Sequence, residues 1–309
     1  MCQLSITKNL CEQKECIISY FRKRGEEVYS KVDAEIATNE YKKKTKALNK
    51  SLEHSYTLFC NNLLQKALKE QWNNEVVLKN LLMITYSYYV VMLDLRNSVW
   101  AYDYMTFSRR IGEIWEPFCK LCFYYSIKPL SLFIPPLFSD VKNLMIEEIE
   151  SFIDRLSISN NEKEELKSYY KKVWSLVSSG EIKLELDLHF EQNNIFYNVD
   201  FKSGFGSNEK GNTNRLLLVA TIFKNLKQNY ENLLLVRQNE DSNNQYFMRL
   251  KKSGLWKVTC YEKTYKKIEH FTGFDLKTWI NKNIDWENDL THESIDHFKK
   301  NDLLKYLKW

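Results

Sequence analysis

The sequence predicts an α/β protein, with a helical N-terminal half (residues 1–137) packed on a mixed β-sheet core flanked by helices (residues 138–309). Three observations carry that expectation. Residues 1–116 hold no proline and only two glycines, Gly25 and Gly112, so long helix can run almost throughout. Residues 182–202 alternate apolar and polar side chains at period two on either side of Asn193-Asn194, as a half-buried hairpin does. A helix-forming run and the apolar stretch 233–236 follow, which together read as hairpin, crossover helix and returning strand.

Taken in order, residues 33–70 repeat Tyr41, Leu48, Leu52, Tyr56, Phe59 and Leu63 at three- and four-residue intervals, the stripe of an amphipathic helix. Lys42, Lys43, Lys44, Lys46 and Lys50 crowd its first half. A solvated face is the default for such a run, and DNA backbone contact the second choice. Residues 75–115 are apolar on most sides, as a central core helix is, and Asp94 and Arg96 interrupt the run as a candidate end. Pro117, Pro129, Pro135 and Pro136 fall within twenty residues, which marks a loop or broken connection and the best boundary in the first half. A helix follows Ser139-Asp140, and another starts after Asn160-Asn161 and stops at Gly180.

The hairpin register can be counted. With Asn193 and Asn194 as the two turn residues, Gln192 faces Ile195, Asp187 faces Asp200 and Glu185 faces Lys202. Directly opposed side chains share a face, with Cβ atoms roughly 4.5–5.5 Å apart. Two carboxylates set this way repel unless a cation offsets them, and Mg²⁺ commonly sits on one or two carboxylates. Lys202 points into the same space, and a metal with an ammonium beside it suits attack of water on a phosphodiester. Alternating acids and a lysine are usually solvated surface, and a Glu185–Lys202 pair would be worth little. The opposed aspartates and the adjoining Gly/Asn-rich loop favour a site instead.

Asp187, then Asp200-Phe201-Lys202 thirteen residues later, then a helix-forming run, resemble the PD-(D/E)XK nuclease superfamily. The continuation from Lys202 to Leu216 looks most like type II restriction endonucleases. The likeness covers about residues 180–240, and Leu186 stands where the name-giving proline often does, which leaves Glu185 a competitor for the first acidic role. The resemblance implies a restriction-endonuclease-like core in which Asp187, Asp200 and the Phe201 backbone carbonyl bind Mg²⁺. It implies that Lys202 orients or polarises the attacking water. Glu185, Glu165 or Glu181 could complete the metal shell, and spacing selects none of them. The implied activity is Mg²⁺-dependent, site-specific hydrolysis of double-stranded DNA by a homodimer, with a cognate DNA methyltransferase as functional partner; cysteine usage and the N-terminal sequence add the expectation that it is cytoplasmic. Two alternatives stay open: a nuclease of the same superfamily serving repair or transposition, and a non-catalytic helical scaffold that binds nucleic acid or protein.

Beyond Lys202, Gly204, Gly206 and Gly211 would let backbone approach phosphate closely. Thr213 is the expected N-cap of a helix running to about Tyr230. Lys210 and Arg215 would add positive charge for DNA there. Asn212 and Asn214 could read an adenine edge, though capping is the commoner job. Residues 246–251 and 255–262 alternate around Ser253-Gly254 and suggest a second hairpin, with helices at 275–283 and 294–307 closing the chain.

Composition sets outer limits. A net charge of +5 gives no global basic field, which leaves room for a local basic cleft. With 19 Tyr, 17 Phe and 8 Trp, the chain is expected to fold rather than remain disordered. Seven scattered cysteines do not look like a disulfide framework and suit a reducing cytosol, and Cys119-x-x-Cys122 lacks a second ligand pair for zinc. No signal peptide is legible, and the apolar stretch 81–93 is too short to span a bilayer.

Overall fold

Long helices open the chain in the computed structural model, which describes residues 4–37, 39–177, 182–206 and 209–309. They are α1 (Lys14–Glu35), α2 (Tyr41–Lys69), α3 (Asn74–Val99) and α4 (Tyr104–Tyr124). The helix expected over 33–70 is therefore divided: α1 ends at Glu35 and α2 begins at Tyr41. Lys44, from the lysine run, is buried against Asp33 rather than solvated. Helix α3 is capped by Asn73, whose side chain accepts the Val76 N–H at 2.9 Å. It is buried on most sides and packs against α1, α2 and α4. Asp94 does not end it. Its carboxylate accepts the Thr291 N–H at 3.1 Å and tethers the C-terminal region, while α3 runs on to Val99.

The proline-rich stretch breaks the chain later than expected. Pro117 lies inside α4, and the irregular connection comes after Tyr124. That connection carries the short strand β1 (Ser131–Leu132), then α5 (Phe138–Asp154) and α6 (Asn160–Val177). Ser159 and Glu162 cap α6 reciprocally, the Ser159 N–H donating to Glu162 at 2.8 Å and the Glu162 N–H to Ser159 Oγ at 3.3 Å. The expected stop at Gly180 lies outside the described residues.

The sheet consists of β1, β2 (Leu188–Gln192), β3 (Ile195–Lys202), β4 (Tyr230–Val236) and β5 (Lys257–Cys260), in that spatial order. β1–β2–β3 are antiparallel and β3–β4–β5 parallel, so the sheet is mixed. Asn193 and Asn194 adopt φ of 55° and 61°, and Gln192 pairs with Ile195, so the two-residue turn and the register follow the sequence pattern. Crossovers α7 (Lys210–Lys224) and α8 (Gln245–Lys252) join the parallel strands. The second hairpin is thus corrected: residues 245–252 form a helix, with Phe247 and Leu250 buried at helical spacing, and β5 lies parallel to β4. Helices α9 (Glu262–Thr272), α10 (Leu276–Asn283), α11 (Trp286–Asp289) and α12 (His292–Lys300) finish the chain.

Helices cover both faces of the sheet. Val199, Phe201, Leu233 and Leu235 face a core shared with α1, α2, α3, α4 and the C-terminal helices. Leu234 and Val236 face a second core built with α7 and α8. Gly112 brings α4 against the loop after β3, since a Cβ there would stand 3.2 Å from the Ser203 Cβ. Cys119 and Cys122 are buried in α4, and burial raises the pKa of both thiols. Among the described residues α3 alone is long and apolar enough to cross a membrane, and 83% of its most apolar stretch is buried within the protein.

Candidate active site

Alternate residues of a strand share a face, so β3 delivers Asn198, Asp200 and Lys202 together to the side covered by α7. The Asp200 side chain is only 1% exposed. Nζ of Lys202 lies 2.8 Å from its Oδ1, and the Arg215 guanidinium from α7 lies 3.7 Å from its Oδ2. These are charge contacts: neither carboxylate oxygen accepts a hydrogen bond of regular geometry. Burial pushes the Asp200 carboxyl up, Lys202 opposes the rise and Asp187 adds to it, leaving it at about 6. Burial pulls Lys202 down, but Asp200, Asp187 and Glu209 outweigh that and raise it above the ordinary lysine value. Lys202 is therefore an ammonium at neutral pH, not a free amine.

Asp187 reaches the same centre by a route that the alternation did not disclose. The strand expected from Ile182 begins only at Leu188, so Asp187 and Asp200 are not a ladder pair, nor are Glu185 and Lys202. Leu188 and Phe190 face the helical core, whereas Leu184 and Leu186 pack on the opposite side of the sheet with α7. The chain switches faces at Asp187. The Asp187 carboxylate then accepts the Phe201 N–H at 2.7 Å, in place of a β2 carbonyl. A strand residue's N–H and C=O point to the same neighbour, so the Phe201 carbonyl faces the edge that β2 vacates.

A buried polar chain lies beside this break. Leu186 N–H donates to His189 Nε2 at 2.9 Å, and His189 Nδ1 is 2.8 Å from Asn198 Oδ1. Asn198 Nδ2 donates to Asn232 Oδ1 at 3.0 Å, and Asn232 Nδ2 to the Leu255 carbonyl at 3.1 Å. Burial lowers the pKa of His189, which favours the neutral ring. Sequence reasoning passed over these residues, although the counted register already paired His189 with Asn198.

Two clefts open beside the site, one at Asp187 and one at Lys202. One, of 680 Å³, is lined by Lys183, Glu185, Asp187, Asn214 and Arg215. The other, of 620 Å³, lies between α4 and the loop after β3 and includes Glu116, Lys202, Gly204 and Glu209. Lys120, paired with Glu116 at 2.6 Å, also feels the field of Asp187. The α4 residues Glu116 and Lys120 carry no motif and were invisible before folding. Helix α7 starts at Lys210, four residues earlier than expected, and Thr213 is buried inside it rather than capping it. Lys210 is exposed, and Asn212 donates to Glu209 at 3.0 Å. Arg215 leans on Asp200 and donates to the Glu185 carbonyl at 3.3 Å. Ser207 and Asn208 lie outside the described residues.

Among the described residues no cluster of three or more His, Cys, Asp or Glu side chains forms a metal cage. Glu185 is exposed with its side chain beside the first cleft, Glu165 is exposed on α6 and lines neither cleft, and Glu181 lies outside the described residues. The donor set is therefore Asp187 and Asp200. Mg²⁺ keeps several waters and needs only one or two protein carboxylates, so this pair fits it. The buried Asp200 oxygens without regular hydrogen bonds point the same way.

No protein-family model, curated protein or solved structure matches the chain.

Proposed function

We propose that the chain is a Mg²⁺-dependent nuclease that hydrolyses phosphodiester bonds of double-stranded DNA, as a site-specific restriction endonuclease with a PD-(D/E)XK-like centre. The observation that carries this reading is Asp200: a carboxylate 1% exposed, with no regular hydrogen bond, in contact with the Lys202 ammonium and in the field of a second carboxylate, Asp187. A carboxylate raised by burial, beside a specific charge partner and next to a cleft, is the kind of group that functional sites hold.

Asp187 and Asp200 would hold the ion, with the Phe201 carbonyl facing the same edge. Bound there, Mg²⁺ supplies charge stabilisation at phosphoryl oxygens and makes a water more acidic. Lys202, charged at neutral pH, orients an attacking water and offsets negative charge, a role that needs no proton removal by its amine. Arg215 and Lys210 lie on the α7 side, where a phosphate backbone would pass. The restriction reading also entails a second copy of the chain, one centre per DNA strand, and a methyltransferase that protects host sites.

A second reading has an observation in its favour. Lys202 and Arg215 already place two cations on Asp200, so the cluster could be a structural charge knot in a nucleic-acid- or protein-binding scaffold. Incubating purified protein with mixed plasmid DNA and Mg²⁺ separates the two. Discrete bands support restriction, a smear or nicking supports a repair or transposition nuclease, and uncut DNA despite binding supports the scaffold.

A further inference from the structure

We infer that His189 is a positioning residue for the proposed centre, holding the chain out of the sheet at Asp187 by taking the Leu186 N–H away from Phe201.

The strand pattern fixes what Leu186 would otherwise do. Phe196 N–H donates to Asn229, and the Lys202 carbonyl accepts from Arg237, so the even-numbered residues of β3 face β4. Val199 and Phe201 therefore face β2, where Val199 pairs with Leu188. One more step of the ladder would pair Phe201 with Leu186, exchanging N–H and C=O in both directions. Neither bond forms. The Leu186 N–H is bound by His189 Nε2 at 2.9 Å, and the Phe201 N–H by Asp187 Oδ2 at 2.7 Å. The Asp187 carboxylate can reach the centre because the ladder stops, and the ladder stops where an imidazole supplies a competing acceptor.

Hydrogen-bond direction fixes the tautomer. The Leu255 carbonyl can only accept, so Asn232 presents its amide nitrogen to it and its oxygen to Asn198. Asn198 in turn presents its oxygen to His189, which must donate from Nδ1. At the other end the Leu186 N–H can only donate, so Nε2 must accept. The chain of four bonds closes only with a neutral imidazole protonated at Nδ1. It crosses β2, β3 and β4, so the acceptor is anchored in the sheet.

Two substitutions separate the acceptor from the anchor. His189→Asn keeps a donor near Nδ1 and loses the acceptor at Nε2, whereas His189→Gln can place an amide oxygen near Nε2 and loses the Nδ1 donor. The effect of His189 on cleavage rests on the nuclease reading, whereas its hold on Leu186 does not. In metal-free protein, amide hydrogen exchange at Leu186 should be slow in wild type and His189→Gln, and fast in His189→Asn. Where DNA is cut, His189→Asn should need about 10–100-fold more Mg²⁺ for half-maximal cleavage, as loss of outer partners of metal ligands typically does. His189→Gln should stay near wild type, and the KM for DNA should be unchanged in both. A structural role confined to the Asn198 bond predicts the reverse order, with His189→Gln the weaker variant. That order in exchange and Mg²⁺ dependence, or a fast Leu186 amide in wild type, overturns the inference. If His189→Asn fails to fold, His189→Gln decides alone: a protected Leu186 supports the inference, and an exposed one in an intact fold overturns it. Wild-type protein that cuts no DNA sinks the nuclease reading and leaves the exchange result to stand or fall separately.

Discussion

The Lys202 ammonium stands 2.8 Å from Oδ1 of Asp200, two residues earlier on the same strand, and the carboxylate it faces is almost wholly cut off from solvent. Asp187 comes to the same stretch of strand from the broken end of β2, its carboxylate on the Phe201 N–H at 2.7 Å, and its charge raises the pKa of both Asp200 and Lys202.

Asp200 should make the metal-free protein less stable as pH rises. Its carboxyl is raised from 3.8 to about 6, so between those values the folded chain holds a proton that the unfolded chain has released. Stability is full below the lower value and is lost through the upper one, by on the order of 1–3 kcal/mol. Asp200→Asn should flatten that dependence, leaving stability near pH 7 level or higher while abolishing cleavage. Melting temperatures from pH 4 to pH 8 in chelator, roughly spanning the titration window, test this. A stability difference between wild type and Asp200→Asn that stays constant across that window would contradict it.

Asp187 should behave differently, because its carboxylate holds the Phe201 N–H at 2.7 Å. Asp187→Ala leaves that donor without a partner, at about 1–3 kcal/mol. Asp187→Asn keeps an acceptor and removes the charge. Both should stop cleavage, and only the alanine variant should melt markedly earlier. Retained cleavage in Asp187→Ala with loss in Glu185→Ala would transfer the acidic role to Glu185.

Cleavage rate at limiting Mg²⁺ should fall as pH drops through about 6, because a proton on Asp200 competes with the ion. Excess Mg²⁺ should move that limb to lower pH. Lys202 is raised above its ordinary value, so it adds no limb near neutrality. An immobile limb would assign the titration to another group. Ca²⁺, larger and less strict in geometry, should support DNA binding with little cutting.

Arg215→Ala and Lys210→Ala should weaken DNA binding by about 1–3 kcal/mol if either grips a base, with sequence choice relaxed at one position. Contact with phosphate instead would weaken binding to all sequences and reduce the salt slope. Lys43→Ala should do much less, since Lys43 sits on α2 and pairs with Glu40. Unchanged affinity and turnover in both variants would show that the start of α7 makes no contact with DNA.

Local chemistry made part of this architecture legible. Asn-Asn tolerates positive φ, so the turn, the register to Leu188 and the joint face of Asp200 and Lys202 could be counted. The break at Asp187 could not, because Leu184 and Leu186 keep the alternation while burying themselves on the other side of the sheet. Period two reports that alternate residues are buried and says nothing about which layer buries them. Residues 246–251 misled for a related reason: in a helix of only eight residues, Phe247 and Leu250 are too few to establish a 3.6 period. Pro117 misled because a helix buried along one face can absorb the lost backbone bond. The contribution of α4 to the site depends on tertiary packing at Gly112 and Ser203, which no single stretch encodes.

Asp200, with Asp187 and Lys202, is proposed to form a metal-dependent phosphodiesterase centre. The decisive measurement sets wild type beside Asp200→Asn on one plasmid substrate, with Mg²⁺ titrated from zero and both folds checked by circular dichroism. Wild type should give Mg²⁺-dependent discrete fragments, and folded Asp200→Asn should leave the plasmid intact. Equal cutting by the two proteins, or no cutting by wild type at any Mg²⁺ concentration, would rule this centre out.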